Sequence, residues 1–266
     1  MNVSFAFSPC PNDTFAFDAL VHGRIAAPFT AVPALHDIEE LNALARDGRY
    51  ELTKLSIGAL AGVRDRYTLL RSGGALGHGC GPLVVARERA SLGDAALGRI
   101  AIPGRDTTAY LLLRLAAPAL GEVVELRYDE ILDAVASGAV DAGLIIHESR
   151  FTYAAHGLVE VADLGVWWER ETGMPVPLAG ICARADLDAE LRAGAEDALR
   201  RSVEHAFAHP NDSLDYVRAH SQELSDEVCD AHIKLYVNDL SLDVGDEGLR
   251  AIARLTAPPA AARAHA

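Results

Sequence analysis

Apolar and small residues alternate at a two-residue period through Val3, Phe5 and Phe7, which predicts a first β-strand. The strand runs into Ser8-Pro9-Cys10-Pro11-Asn12-Asp13-Thr14-Phe15, where two prolines fix φ and remove two donors, and a helix continues through Phe17, Asp18 and Leu20. Asp13 or Thr14 is expected to cap that helix and leave its first N–H groups turned outward, toward an anion. Helical spacing returns from Asp37 to Leu44 with Gly48 as its stop, followed by a strand from Leu52 to Ile57. The glycine-rich stretch from Gly73 to Pro82 is expected to be a flexible loop leading into a strand from Leu83 to Ala86. It lacks the Lys-Ser/Thr ending of a nucleotide-binding P-loop and precedes no helix. The same grammar then restarts: a strand from Ile100 to Pro103, a loop over Gly104-Arg105-Asp106-Thr107-Thr108, and a helix from Ala109 to Leu115. A strand at Glu125 to Tyr128, a helix from Asp129 to Ser137 closed by Gly138, and a buried strand from Val140 to Ile146 deliver His147.

Strands alternating with helices predict parallel α/β sheets, and two successive units predict two α/β lobes. A late strand from Leu178 to Ala183 and a helical block from Asp188 send the chain back to the first lobe. Residues 1–90 and 179–266 are thus assigned to lobe I and 91–178 to lobe II, with crossovers near Ala86 to Gly93 and Pro177 to Arg184. The tail from Ala257 to Ala266 has little to bury and is expected to fray. Trp167-Trp168 is compatible with lining a cleft or packing a lobe.

A chain of 266 residues, half of them hydrophobic, buries a sizeable core. No apolar run approaches the roughly 20 residues that span a bilayer, and Pro9, Asn12 and Asp13 interrupt any secretory leader, so membrane insertion is not expected and a cytoplasmic location is. Cys10, Cys80, Cys182 and Cys229 are scattered without C-x-x-C or zinc spacing and are read as free thiols. A formal charge of −14 argues against a nucleic-acid partner. Only Lys54 and Lys234 among the 24 basic residues are lysines, which draws attention to Lys54 as a compact point charge able to steer an anion.

Several blocks, in order along the chain, carry a resemblance: Ser8 to Phe15, Leu20-Val21-His22-Gly23-Arg24, Thr53-Lys54-Leu55-Ser56, Arg71 to Gly77, Gly81-Pro82-Leu83-Val84-Val85-Ala86, Gly143 to Thr152, Leu224-Ser225-Asp226-Glu227 and Ser241-Leu242-Asp243-Val244-Gly245. The chain resembles the 1,4-dihydroxy-6-naphthoate synthase family of the futalosine route to menaquinone. The resemblance implies a two-lobed, periplasmic-binding-protein-like type II α/β fold with the active site in the inter-lobe cleft. It also implies a carbon–carbon lyase that converts cyclic dehypoxanthine futalosine into 1,4-dihydroxy-6-naphthoate with loss of a three-carbon fragment, without metal or redox cofactor.

Residue by residue, the resemblance places substrate contacts at Lys54, Leu55 and Ser56 and at Thr108 and Ala109, with Thr107 and Asn42 beside them, and the proton acceptor at His147. The chemistry suits those types. A helix start at Thr107 and Thr108 offers hydroxyls and unpaired N–H groups, and an imidazole titrating near 6.5 is a base at neutral pH. Alternation along an extended chain would point the adjacent Glu148 away from His147. Two other readings stay open: a binding protein of the same fold for an anionic metabolite, and a chorismate dehydratase of the same pathway.

Overall fold

The computed structural model describes residues 1–93, 97–221 and 225–257. Leu224 and the tail beyond Ala257 lie outside them. The alternating segment Asn2–Phe7 is β1, and its Phe5 and Phe7 rings meet Phe17 of α1 (Pro11–Val21) edge-on, with centroids 5.0 and 5.3 Å apart. This aromatic cluster buries the first core layer, where edge-to-face pairs add to the area removed from water. β2 (Thr30–Leu35), α2 (Ile38–Ala45), β3 (Leu52–Ser56), β4 (Tyr67–Leu69) and β5 (Ala75–Gly77) follow. β6 (Leu83–Ala86), β7 (Arg99–Ile102), α3 (Thr108–Ala116), β8 (Glu122–Glu125), α4 (Ile131–Ala136) and β9 (Ala142–Ile145) come next. Then α5 (Ser149–Thr152), β10 (Val159–Asp163) and α6 (Leu164–Thr172) precede the long return strand β11 (Val176–Arg184). The helices α7 (Ala189–Ala208), α8 (Leu214–His220), α9 (Asp226–Tyr236), α10 (Asp239–Leu242) and α11 (Gly245–Leu255) close the chain.

The strands form two sheets, in the orders β2-β1-β3-β11-β4, with β5 on β11, and β10-β6-β9-β7-β8. β1 is parallel to β2 and β3, and β7 is parallel to β8 and β9, as βαβ units require. The expectation of parallel sheets fails at β6 and β11, which run antiparallel to β9 and to β3. These strands follow a passage between sheets rather than a helical crossover, so nothing imposes the parallel sense on them.

Because Leu83–Ala86 hydrogen-bonds in the second sheet, we place the first crossing in the glycine-rich stretch ahead of it rather than at Ala86 to Gly93. That stretch is not a flexible loop either. Ser72 to Gly77 and Cys80 to Pro82 are buried, and Gly81 is pressed on Gly165 so closely that a Cβ would lie 2.2 Å from the Gly165 Cα. Glycine serves close packing here, not mobility. Edge strand β8 sits slightly earlier than expected because its register pairs Glu122 to Glu125 with Arg99 to Ile102. Trp168 settles its own question: it is 2% exposed, its indole N–H donates to the Pro175 carbonyl at 3.0 Å, and it packs a lobe core. All four cysteines are free and buried. No described helix is long and apolar enough to cross a membrane.

Candidate active site

Pro11 occupies the first position of α1, and the Cys10 carbonyl before it accepts from the N–H groups of Asp13 and Thr14 at 3.1 Å each. Neither expected cap acts as one. Thr14 Oγ1 donates to the Cys10 carbonyl at 3.1 Å, and the Asp13 carboxylate turns back to accept from the Ser8 N–H (3.1 Å) and hydroxyl (2.6 Å). A proline at the first position has its φ preset and no donor to satisfy, which releases the acid for other work. That work is Lys54, whose Nζ lies 2.6 Å from both Asp13 oxygens, with both side chains buried. The lysine is committed to this pair rather than exposed as a steering charge.

Along β3, side chains alternate between faces. Lys54 and Ser56 line a cleft of about 560 Å³, part of it open to solvent, whereas Leu55 packs behind the sheet with Ala45, Val63, Tyr67 and Cys182. Asn42 stands behind Ser56, which it holds at two points. Its Nδ2 donates to Ser56 Oγ at 3.0 Å, and its Oδ1 accepts from the Ser56 N–H at 2.9 Å.

Across the cleft, Thr107 is the N-cap of α3: its Oγ1 accepts from the Tyr110 N–H at 3.2 Å and donates to the Gly104 carbonyl at 2.8 Å. Thr108 spends its hydroxyl on the protein, donating to the Leu178 carbonyl at 2.6 Å and accepting from the Gly58 N–H at 3.0 Å. What this helix start offers the cleft is therefore backbone: the N–H groups of Thr108 and Ala109 precede the first intrahelical bond and carry the positive end of the helix dipole. Thr107, Thr108 and Ala109 all line the cleft.

His147 follows β9 at a φ of +56°, alone among the described non-glycine residues in the left-handed region. Histidine tolerates this conformation better than most residues, though it still costs about 1–3 kcal/mol. The turn has a geometric result that alternation did not anticipate. Glu148 comes round to the same pocket, so that one polar or sulfur atom each of Cys10, His147 and Glu148 lie within 4.8 Å of one another. These three form the one cluster of metal-ligand type among the described residues.

The His147 ring has Nδ1 3.4 Å from Cys10 Sγ and meets the Tyr128 ring edge-on at 5.0 Å. Its Nε2 is buried without a hydrogen-bond partner. Burial, with the Lys54 ammonium as a second cause, pushes the imidazole down to about 3, so it is neutral near pH 7. From α9, His232 and Tyr236 complete the wall. His232 is 1% exposed; its Nε2–H donates to Asn12 Oδ1 at 3.0 Å, and its Nδ1 stands 4.0 Å from the Glu148 carboxylate. Burial holds this imidazole well below its ordinary range too.

The structure thus brings Lys54, Ser56, Thr107, Thr108, Ala109 and His147 to one cleft, leaves Asn42 behind it, and turns the Leu55 side chain away. Sequence reasoning missed the roles of Cys10 and Asn12, although both lie in the run it singled out, and missed His232 and Tyr236 altogether. The last two sit on a helix far along the chain, where a histidine on an apolar face gives no local signal.

A family model described as menaquinone biosynthesis matches residues 3–258. A 1,4-dihydroxy-6-naphthoate synthase of Thermus thermophilus is 60% identical over 251 residues, covering 94% of this chain and 91% of the relative. Another synthase so named, from Streptomyces coelicolor, is 46% identical over 97% of this chain and 93% of its own. Among solved structures, protein AF1704 of Archaeoglobus fulgidus superposes with a TM-score of 0.90 at 37% identity, covering 96% of this chain and 95% of that one. The ligand-binding component of an import system from Staphylococcus aureus, at a TM-score of 0.72 and 13% identity over 96% and 90% of the two chains, shares the fold alone. The two-lobed periplasmic-binding-protein-like architecture is therefore common ground, while the likeness to named synthases is one of sequence and favours neither the binding-protein nor the chorismate reading. Matched over nearly its whole length, the chain belongs to the menaquinone biosynthesis family.

Proposed function

We propose that this chain is a carbon–carbon lyase that converts cyclic dehypoxanthine futalosine into 1,4-dihydroxy-6-naphthoate in the cytoplasm, with His147 as general base. The observation that carries the reading is the placement of the His147 ring, which stands in the wall of the cleft with an Nε2 that no protein group occupies. A neutral imidazole within reach of a substrate hydroxyl accepts its proton. The oxygen's electrons then form a carbonyl, the electron pair of the adjacent carbon–carbon bond is left on the departing carbon, which takes the proton back from His147, and aromatisation of the new ring supplies driving force.

The N–H groups of Thr108 and Ala109 suit the substrate carboxylate, because a helix start is an anion site. Ser56, held by Asn42, suits a hydroxyl. The fixed placement of these donors lowers the entropic part of the barrier. Leu55 acts from behind the sheet by holding β3 in place.

The test is incubation of the purified protein with cyclic dehypoxanthine futalosine, following dihydroxynaphthoate by mass spectrometry beside His147→Asn. Product from the native chain and a kcat about 10³-fold lower in the variant are expected, a typical loss for a general base. A folded His147→Asn enzyme with full kcat removes the base assignment, and substrate that binds but is returned intact by the native protein favours the binding-protein reading.

A further inference from the structure

We infer that Cys10 is a positioning residue that reaches from the first sheet's side of the cleft to orient the His147 imidazole. This rests on the reading of His147 as the base. Cys10 precedes α1 of the first sheet, and His147 follows β9 of the second. Their 3.4 Å contact therefore joins two parts of the molecule that share no sheet.

The geometry favours orientation over a chance approach. Cys10 is 3% exposed and sits between Pro9 and Pro11, whose rings restrict the backbone on both sides. Its sulfur occupies one ring nitrogen of His147 and leaves the other, Nε2, without a partner in the cleft wall. A general base needs that division: one nitrogen held and one available.

The thiol suits the ring in both of its protonation states by playing the same part in each. A sulfhydryl is a weak donor and a weak acceptor. For Nε2 to be the base, the neutral ring carries its hydrogen on Nδ1, and the sulfur accepts from that Nδ1–H both before Nε2 takes a proton and in the imidazolium that results. Burial and the nearby Glu148 carboxylate push the Cys10 thiol up, so it stays protonated and adds no fixed charge beside the ring. The other groups facing the pair are Lys54 from β3, Asp13 from α1, Tyr128 ahead of α4, Glu148 beyond β9 and His232 from α9.

The experiment compares Cys10→Ala, Cys10→Ser, His147→Asn and the double variant Cys10→Ala/His147→Asn, each checked for a native circular dichroism spectrum. Loss of one hydrogen bond corresponds to about a five- to tenfold drop in kcat for Cys10→Ala, with KM within about twofold. Cys10→Ser, which restores a hydroxyl donor and acceptor, is expected to regain most of that drop. In the His147→Asn background, Cys10→Ala should cost nothing further. Nitrogen-15 spectra of the His147 ring should show a changed balance of tautomers in Cys10→Ala, a readout that needs no substrate. Full kcat in Cys10→Ala, equal kcat in the Ala and Ser variants, an additional loss in the double variant, or unaltered ring nitrogens would each overturn the inference. Full kcat in His147→Asn would instead overturn the base assignment beneath it.

Discussion

The two strand-to-helix turns that face each other across the cleft read alike in sequence, yet they do opposite things. The first, from Ser8 to Asp13, is closed: Pro11 starts the helix, and Asp13 is consumed by Ser8 and Lys54. The second, from Gly104 to Ala109, is open: Thr107 caps the helix through the Tyr110 N–H, and Thr108 and Ala109, ahead of the first intrahelical bond, line the cleft. A proline at the first helical position with an acid two residues on builds a charged pillar, whereas a threonine cap with no acid in the first turn leaves a helix start uncommitted to charge at the cleft. A strand–loop–cap pattern identifies such a turn but does not say which of the two it makes.

The strongest way to break this contrast is to attack the pillar. Lys54→Met leaves the Asp13 carboxylate buried and unpaired, which should destabilise the fold by about 3–5 kcal/mol in urea titration. Adding Asp13→Asn should return much of the loss; a Lys54→Met protein of native stability would mean that the first turn is not held by charge.

Acid sharpens the same contrast, because the two depressed histidines, His147 and His232, both lean on the first turn, through Cys10 and Asn12. A folded-state pKa below the unfolded one contributes stability that is complete above about 6.5 and is lost as pH falls toward the folded value. Stability should fall from about pH 6.5 downward by up to ~2.7 kcal/mol per pH unit for two such groups. The free-enzyme profile of kcat/KM should meanwhile show no limb at the ordinary imidazole value, because His147 lies near 3. A limb near 6.5 would contradict the buried, neutral ring.

A smaller effect belongs to the open turn. Thr107→Ala removes the cap at a cost of about 1 kcal/mol and should raise KM more than it lowers kcat, because the donors it disturbs bind rather than react. The smallest is at the rim, where the largely exposed Arg46 pairs with Asp106. Arg46→Ala should change stability by less than about 1 kcal/mol in the same titration.

Much of the scaffold was legible because period and punctuation act locally. The Val3 to Phe7 alternation, the α2 spacing with Gly48 behind it and the strand that leads to His147 all lie close to where the pattern puts them. What escaped was set by partners distant in the chain. The direction of β6 and β11 depends on which sheet receives them, and the glycine-rich stretch is packed because Gly165 lies against it. In the site, residue types were readable but directions were not. The sequence offers Thr108 as a hydroxyl contact, whereas its hydroxyl bonds Leu178 and Gly58. Alternation sends Glu148 the wrong way because a left-handed residue inside an apolar run has no signature when that residue is not glycine.

That backbone turn also limits what evolution can try at this position. Branched and bulky side chains are the most strained at a φ of +56°; glycine adopts it freely, and asparagine, aspartate and histidine adopt it more readily than the rest. Of these, two carry a group that accepts a proton, and aspartate is the shorter. A glutamate or lysine base would have to reshape the chain before it could work there, so the inventory of bases open to this lineage is narrowed by conformation before chemistry is consulted.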